Sequence, residues 1–484
     1  MKAVSIQVSN AVARTPEFRF ANPVNWSLSL NQNWAIIGPN GSGKTLFADL
    51  ITGKTALKDG QIDYHFREEN RPLYEKIKMI SFRDVYSLAD YKGMYYQQRW
   101  NSAEEETPIV YDLVKSLARE SEIQALFSFF GIDDLLEKQI IMLSSGELRK
   151  FLIVRMLLSK PEVIILDNPY IGLDEISREF LNELLAFMSS NQQTQIILIL
   201  SNPNDIPEMI THVLPIVQKT VLEGMSREVF LNDRTLQESL FPVVVQAIEL
   251  PKQPENQADY DIALDMQHIN IRYGDRKILS DLNWQVKKGE KWALLGLNGS
   301  GKSTLLSLVC ADNPQSYANS FSLFGKKRGT GESIWDIKKR IGYVSPEMHL
   351  YFMENQACQE IVGSGFFDSV GLFRKCSSEQ LQWALEWMKT FRIEHLRDVP
   401  FLKLSYGEQR LVMLARAFVK NPELLILDEP LHGLDCCNKR LVSQIIGAFC
   451  EQKNKTLIYV SHYLHEIPAC ISKANFKYLL NRGA

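Results

Sequence analysis

Short, almost wholly apolar runs recur along the chain, each the length of a β-strand. In the first half they are Trp34-Ala35-Ile36-Ile37, Val163-Ile164-Ile165-Leu166 and Ile196 to Leu200. In the second half they are Trp292-Ala293-Leu294-Leu295, Leu424-Leu425-Ile426-Leu427 and Thr456-Leu457-Ile458-Tyr459-Val460. All fall far short of the ~20 apolar residues a membrane-crossing helix needs, so no span is predicted and any pore served by this chain belongs to another polypeptide. Helical patterning accompanies them: Thr304 to Val309, Leu148 to Arg155 and Gln409 to Arg416. Strand and helix patterns in alternation predict an α/β chain.

The first strand candidate of each half leads into a glycine-rich loop. Gly38-Pro39-Asn40-Gly41-Ser42-Gly43-Lys44-Thr45 follows Trp34 to Ile37, and Gly296-Leu297-Asn298-Gly299-Ser300-Gly301-Lys302-Ser303 lies between Leu295 and the helix beginning near Thr304. Both fit the phosphate-binding pattern G-x-x-x-x-G-K-[ST] in its strand, loop, helix context. The glycines let backbone N–H groups turn toward an anion, and the helix N-terminus adds partial positive charge. Lys44 or Lys302 can then reach the outer phosphates of a nucleotide, and Thr45 or Ser303 offers a hydroxyl to Mg²⁺.

The two loops belong to a duplication. Lys44 and Lys302 stand 258 residues apart, and the same offset relates Asn25-Trp26 to Asn283-Trp284 and Trp34 to Trp292. A repeat this long is a whole domain. Each half adds two further markers: Leu143-Ser144-Ser145-Gly146-Glu147 with the acid strand ending at Asp167, and Leu404-Ser405-Tyr406-Gly407-Glu408 with the acid strand ending at Asp428. Alone, L-S-x-G-E is as well read as a helix cap. Its place shortly before an acid strand in both halves makes it a signature.

Phosphate loop, LSxGE, a strand ending in Asp, then Gly172-Leu173-Asp174 or Gly433-Leu434-Asp435 resembles the ATP-binding cassette ATPases, twice over and across nearly the whole chain. The resemblance implies two tandem P-loop NTPase cassettes, each a RecA-like core with a β-rich edge and a helical signature subdomain. Domain 1 is expected over residues 1–230, a linker over 231–261 and domain 2 over 262–484. ATP and Mg²⁺ are the implied ligands. The implied nucleotide contacts come from Gly38, Asn40, Gly41, Ser42, Gly43, Lys44 and Thr45 in the first half. In the second they come from Gly296, Asn298, Gly299, Ser300, Gly301, Lys302, Ser303 and Thr304, with Tyr273 stacking under the adenine; the metal shell falls to Thr45, Asp167, Ser303 and Asp428. Cassettes of this family pack head to tail, so Ser144 and Gly146 would close on the second phosphate loop, and Ser405 and Gly407 on the first.

The halves are unequal. The second follows Asp428 with Glu429, where the family has the base that polarises water, and carries His462 as the switch histidine; these are the catalytic candidates. The first has Asn168 and Ser201-Asn202 there. Its counterpart of Tyr273 is Thr15, leaving Phe18 or Phe20 to stack on the base. The family's glutamine is missing from Ser345-Pro346-Glu347 and from Ser81-Phe82-Arg83-Asp84, with Gln97 and Gln98 further on. Around Ser364 to Gly371 the chain is similar to the ModF-type, photorepair-like ATPases linked with molybdenum uptake. That likeness implies a cytoplasmic ATPase on the inner face of the plasma membrane, with a separate integral-membrane permease as partner and molybdate or a related oxyanion as cargo. The alternative is a soluble regulatory or nucleic-acid-linked ATPase without a permease.

Composition changes little in this picture. With 45% hydrophobic and 23% charged residues the chain is ordinary globular protein, and its net charge of -3 gives no indication of a nucleic-acid partner. The seven cysteines lack metal-ligand spacing and read as reduced thiols. His462 and His465 beside Glu466 lack a third ligand, so zinc is rejected. The cluster Tyr95-Tyr96-Gln97-Gln98-Arg99-Trp100 reads as core or partner-facing surface.

Overall fold

A computed structural model describes residues 4–67, 70–80, 108–140, 143, 145–171, 173, 175–191, 194–242, 248–254, 260–273, 276–296, 300–310, 313–331, 333–352, 354–368, 374–471 and 476–478. They form two compact units, one from the chain up to Pro242 and the other mainly from Ile248 on.

The strands of the first unit are β1 (Val4–Ala13), β2 (Val24–Ser29), β3 (Trp34–Ile37), β4 (Leu57–Tyr64), β5 (Ile77–Ile80), β6 (Val163–Asp167), β7 (Gln195–Leu200), β8 (His212–Val217), β9 (Thr220–Val221) and β10 (Met225–Ser226). β2-β1-β4 is an antiparallel sheet. The larger sheet runs β5-β6-β7-β3-β8 with all neighbours parallel, and β9 and β10 pair antiparallel with β8.

The second unit has β11 (Ile262–Tyr273), β12 (Arg276–Lys287), β13 (Lys291–Leu295), β14 (Phe321–Leu323), β15 (Lys326–Lys327), β16 (Ile341–Val344), β17 (Leu424–Asp428), β18 (Thr456–Val460) and β19 (Phe476–Tyr478). Its antiparallel sheet is β12-β11-β14-β15 and its parallel sheet β16-β17-β18-β13-β19, the strand order of the first unit over again. The duplication reaches single hydrogen bonds. Asn10 and His268 have positive φ (50° and 53°) where β1 and β11 bulge, and the side chains of Asn25 and Asn283 each accept the bulged N–H at 2.9 Å.

The parallel strands are apolar without interruption because both faces are covered. In β7, Ile197 and Ile199 face a core with Val8, Trp26 and Phe47, while Ile196, Leu198 and Leu200 face one with Phe151, Val154 and Leu185. β18 repeats the division: Ile458 and Val460 pack with Trp284 and Leu305, and Leu457 and Tyr459 with Trp387 and Phe418. Buried on both sides, the strands fix where the segments at their C-terminal ends begin.

The stretch 231–261 is not uniformly extended. Its start lies in the helices Arg227–Asn232 and Arg234–Leu240. Further on, Gln253 Nε2 donates to Val419 O (2.8 Å) and Gln253 Oε1 accepts from Trp387 Nε1 (3.1 Å), while Ile248 and Leu250 pack on the second unit's helical core. Cys450, at the end of the helix Cys436–Glu451, and Cys470 are brought together by the fold across 20 residues of sequence, with Cα atoms 6.2 Å apart.

Candidate functional site

The phosphate loops join β3 to the helix Lys44–Ile51 and β13 to the helix Lys302–Val309. Gly43 and Gly301 cap these helices with φ of 104° and 93°, a left-handed backbone that glycine adopts freely. Gly38 is fixed by space: a Cβ there would lie 2.0 Å from Ile216 O. Lys44 Nζ donates to Gly38 O (2.8 Å) and Pro39 O (2.7 Å), and Lys302 Nζ to Gly296 O (2.8 Å), so each ammonium is held over its own loop. Burial lowers the Lys44 pKa to about 8, against the raising field of Asp167. The hydroxyls of Ser42 and Ser300 are buried without a hydrogen-bond partner, as fits donors set to meet an anion.

Beside the first loop, Thr45 Oγ1 donates to Asp167 Oδ2 at 2.8 Å, pairing the hard oxygen donors Mg²⁺ prefers. Asn168 Nδ2 donates to Asp167 Oδ1 (2.7 Å), and Asn168 Oδ1 accepts from Ser201 Oγ at 3.4 Å. Asn202 only caps the short helix Pro203–Asp205. Phe20 lies against the loop, with Cε1 3.5 Å from a Cβ built on Gly43, whereas Phe18 is 44% exposed.

The corresponding place in the second unit is crowded with charge. β17 delivers Asp428, 5% exposed, and Glu429 follows in a left-handed turn (φ 47°). Its carboxylate forms ion pairs with His462 Nε2 on Oε1 and with His432 Nδ1 on Oε2, the latter at 2.7 Å. Burial alone would raise the Glu429 pKa; the charges and hydrogen bonds of the two histidines hold it well below the usual carboxylate range. His462 also lies with Nδ1 3.0 Å from Gly296 O and 3.5 Å from Lys302 Nζ. Burial and Lys302 disfavour its charge, but Glu429 prevails and raises its pKa. Glu429 and His462 thus join the phosphate loop in one network. Ser303 and Thr304, half-buried, lie in the first turn of the adjoining helix.

Ser405 caps the signature helix Tyr406–Phe418. Its hydroxyl accepts from Glu408 N and donates to the Glu408 carboxylate (2.6 Å), while Ser405 N donates to the same oxygen (2.8 Å). Gly407 is buried in the first turn. Gly146 lies in the first turn of the equivalent helix, Ser145–Leu158. Tyr273 ends β11, and its side chain is outside the described residues. Also outside them lie Ser144, Gly172, Asp174, Asn298, Gly299, the segment Ser81 to Asp84 and the cluster Tyr95 to Trp100 with Gln97 and Gln98.

Two residues are absent from the sequence-based site. His432, three after Glu429, has its signal in that i, i+3 spacing across a turn. Arg410 looks like one more basic residue of an amphipathic helix, yet it is fully buried. Its guanidinium donates to Ser345 O (2.9 Å), Asp428 O (2.9 Å) and Glu429 O (2.7 Å), tying the signature helix to the acid turn.

Comparison with known proteins agrees with this geometry. The family model described as ABC transporter matches residues 21–171 and 279–432. The ABC transporter ATP-binding protein ModF of Escherichia coli (strain K12) is 35% identical over 97% of this chain and 96% of its own length. An uncharacterised ABC transporter ATP-binding protein of Schizosaccharomyces pombe is 31% identical, again over 97% and 96%. Among solved structures the archaeal ribosome recycling factor aABCE1, in complex with the stalk protein aP1, aligns over 97% of this chain and 89% of its own with a TM-score of 0.55 at 16% identity, a likeness of fold. Two family matches, one on each half of a duplicated fold, lead to one conclusion: the chain belongs to the ABC transporter family, as an ATP-hydrolysing protein with two ATP-binding cassettes.

Proposed function

We propose that the two cassettes form an asymmetric pair in which the second hydrolyses ATP and the first mainly holds it. The observation that carries this reading is the contrast at one turn: Glu429 engaged by two histidines after Asp428, and Asn168 donating to the carboxylate of Asp167. A carboxylate can take a proton from the attacking water; an amide cannot. The hydrolytic site is then built on Lys302, Ser303, Asp428, Glu429 and His462, and the binding site on Lys44, Thr45 and Asp167. Mg²⁺, held by Ser303 and Asp428 or by Thr45 and Asp167, would neutralise phosphate charge. Lys302 steadies the outer phosphates, His462 leaves Glu429 Oε1 for the γ-phosphate, and the freed oxygen orients water for in-line attack.

The work done by this ATPase is the energising or regulation of transport across a membrane, with molybdate or a related oxyanion as cargo and a separate permease as partner. The support is the likeness to the ModF protein over nearly the full length of both chains. No helix among the described residues is long and apolar enough to cross a membrane. The competing reading, an ATPase without a permease, is favoured by Ser345-Pro346-Glu347, where Ser345 caps the helix Pro346–Tyr351 and no glutamine is present. Co-purification from detergent-solubilised membranes separates the two. Recovery of an integral-membrane protein that stimulates ATPase activity supports the first; recovery of none, with activity stimulated by nucleic acid, establishes the second.

A further inference from the structure

We propose that His432 is a positioning residue for hydrolysis, holding one carboxylate oxygen of Glu429 so that the other stays aligned with the attacking water. The proposal rests on the reading of Glu429 as the base. His432 Nδ1 lies 2.7 Å from Glu429 Oε2, a close approach off the line of a hydrogen bond, and His462 Nε2 pairs with Oε1, so each histidine faces one oxygen of the carboxylate. Both are largely enclosed, at 13% and 6% side-chain exposure. The His432 contact is built by the backbone. Glu429 takes a left-handed conformation, its O accepts from His432 N at 3.1 Å, Leu431 is buried beside it, and Gly433 closes the turn at φ 72°. When His462 turns to the nucleotide, Oε1 is released while Oε2 remains held. A carboxylate gripped at one oxygen keeps its plane; one released at both rotates.

The first cassette supplies an internal control. Its turn has the same form, with Ile171 N donating to Asn168 O at 3.3 Å, but the residue at the place of His432 is the buried Ile171. The histidine is present where the glutamate is and absent where the glutamate is replaced. Fold maintenance alone asks for no such pairing, since isoleucine serves the turn.

The test is a double-mutant cycle read by single-turnover hydrolysis and by ATP affinity. His432→Ala should lower the rate about 10- to 100-fold, the scale of a misplaced catalytic group, with KM for ATP unchanged. His432→Asn, which places an amide N–H near the Nδ1 position, should recover to within about threefold of wild type, and it carries the test if the alanine variant fails to fold. In a Glu429→Gln background His432→Ala should cause no further loss, because its partner is already gone. Multiplicative losses, a defect confined to KM, or an asparagine variant no better than alanine would overturn the proposal. Full activity in Glu429→Gln itself would instead overturn the base assignment beneath it.

Discussion

Asn168 and Glu429 share one backbone conformation. Each follows the acid that ends its strand, with φ of 52° and 47°, and each donates its N–H at 3.0 Å to the neighbouring strand, to Ile199 O and Val460 O. Asparagine enters the left-handed region readily and glutamate does not, so strain of roughly 1 kcal/mol or more is retained in the cassette that carries the base. The surroundings impose it: Arg410 binds the carbonyls of both Asp428 and Glu429.

Replacing Arg410 should therefore be severe. Arg410→Met removes three guanidinium hydrogen bonds, of which those to Ser345 O and Glu429 O leave carbonyls that still accept from His349 N and His432 N, and should lower the denaturation midpoint of the second cassette. Arg410→Lys, with fewer donors and no planar fork, should fall between, with ATPase activity lost before ATP binding. Thermal melts beside nucleotide titrations check both.

The Glu429–His462 pair predicts a pH signature of the nucleotide-free protein. His462 has a raised pKa, so its contribution to stability is complete below its ordinary value of 6.5 and disappears as pH rises through the raised one. Glu429 has a lowered pKa, so its contribution is present above its ordinary value of 4.5 and disappears as pH falls through the lowered one. Thermal stability should accordingly decline from pH 6.5 upward, and His462→Gln should flatten that limb.

Lys44 predicts a different dependence, in binding. Its ammonium, with a pKa lowered to about 8, is the form that attracts phosphate. Affinity at the first site should weaken above about pH 8, by up to about tenfold per unit. A fluorescent ATP analogue titrated into Lys302→Ala, which disables the second site, reads this limb, and adding Lys44→Arg should abolish it.

Much of this was legible in the sequence because it is written in contiguous residues. The loops at Gly38 and Gly296, the strands ending at Asp167 and Asp428 and the helix begun by Ser405 lie where patterning puts them. The offset between Asn25 and Asn283 had signalled a duplication, and the structure gives both residues the same bulge to cap. What the sequence withheld depends on long-range proximity. Arg410 is a surface-type residue in any helical pattern, and only the fold carries it beneath Glu429 to Ser345. His432 has a local signal in its spacing from Glu429, but nothing in the sequence shows it meeting the same carboxylate as His462. Cys450 and Cys470 are likewise brought together by the path of the chain after β18.

The most direct test of the asymmetric pair compares Glu429→Gln with Asn168→Ala in one steady-state Mg²⁺-ATPase assay. Loss of general-base catalysis is worth about 10²- to 10⁴-fold, so Glu429→Gln should retain about 1% of wild-type kcat or less, while Asn168→Ala stays within about twofold. Equal losses in the two variants would contradict the account.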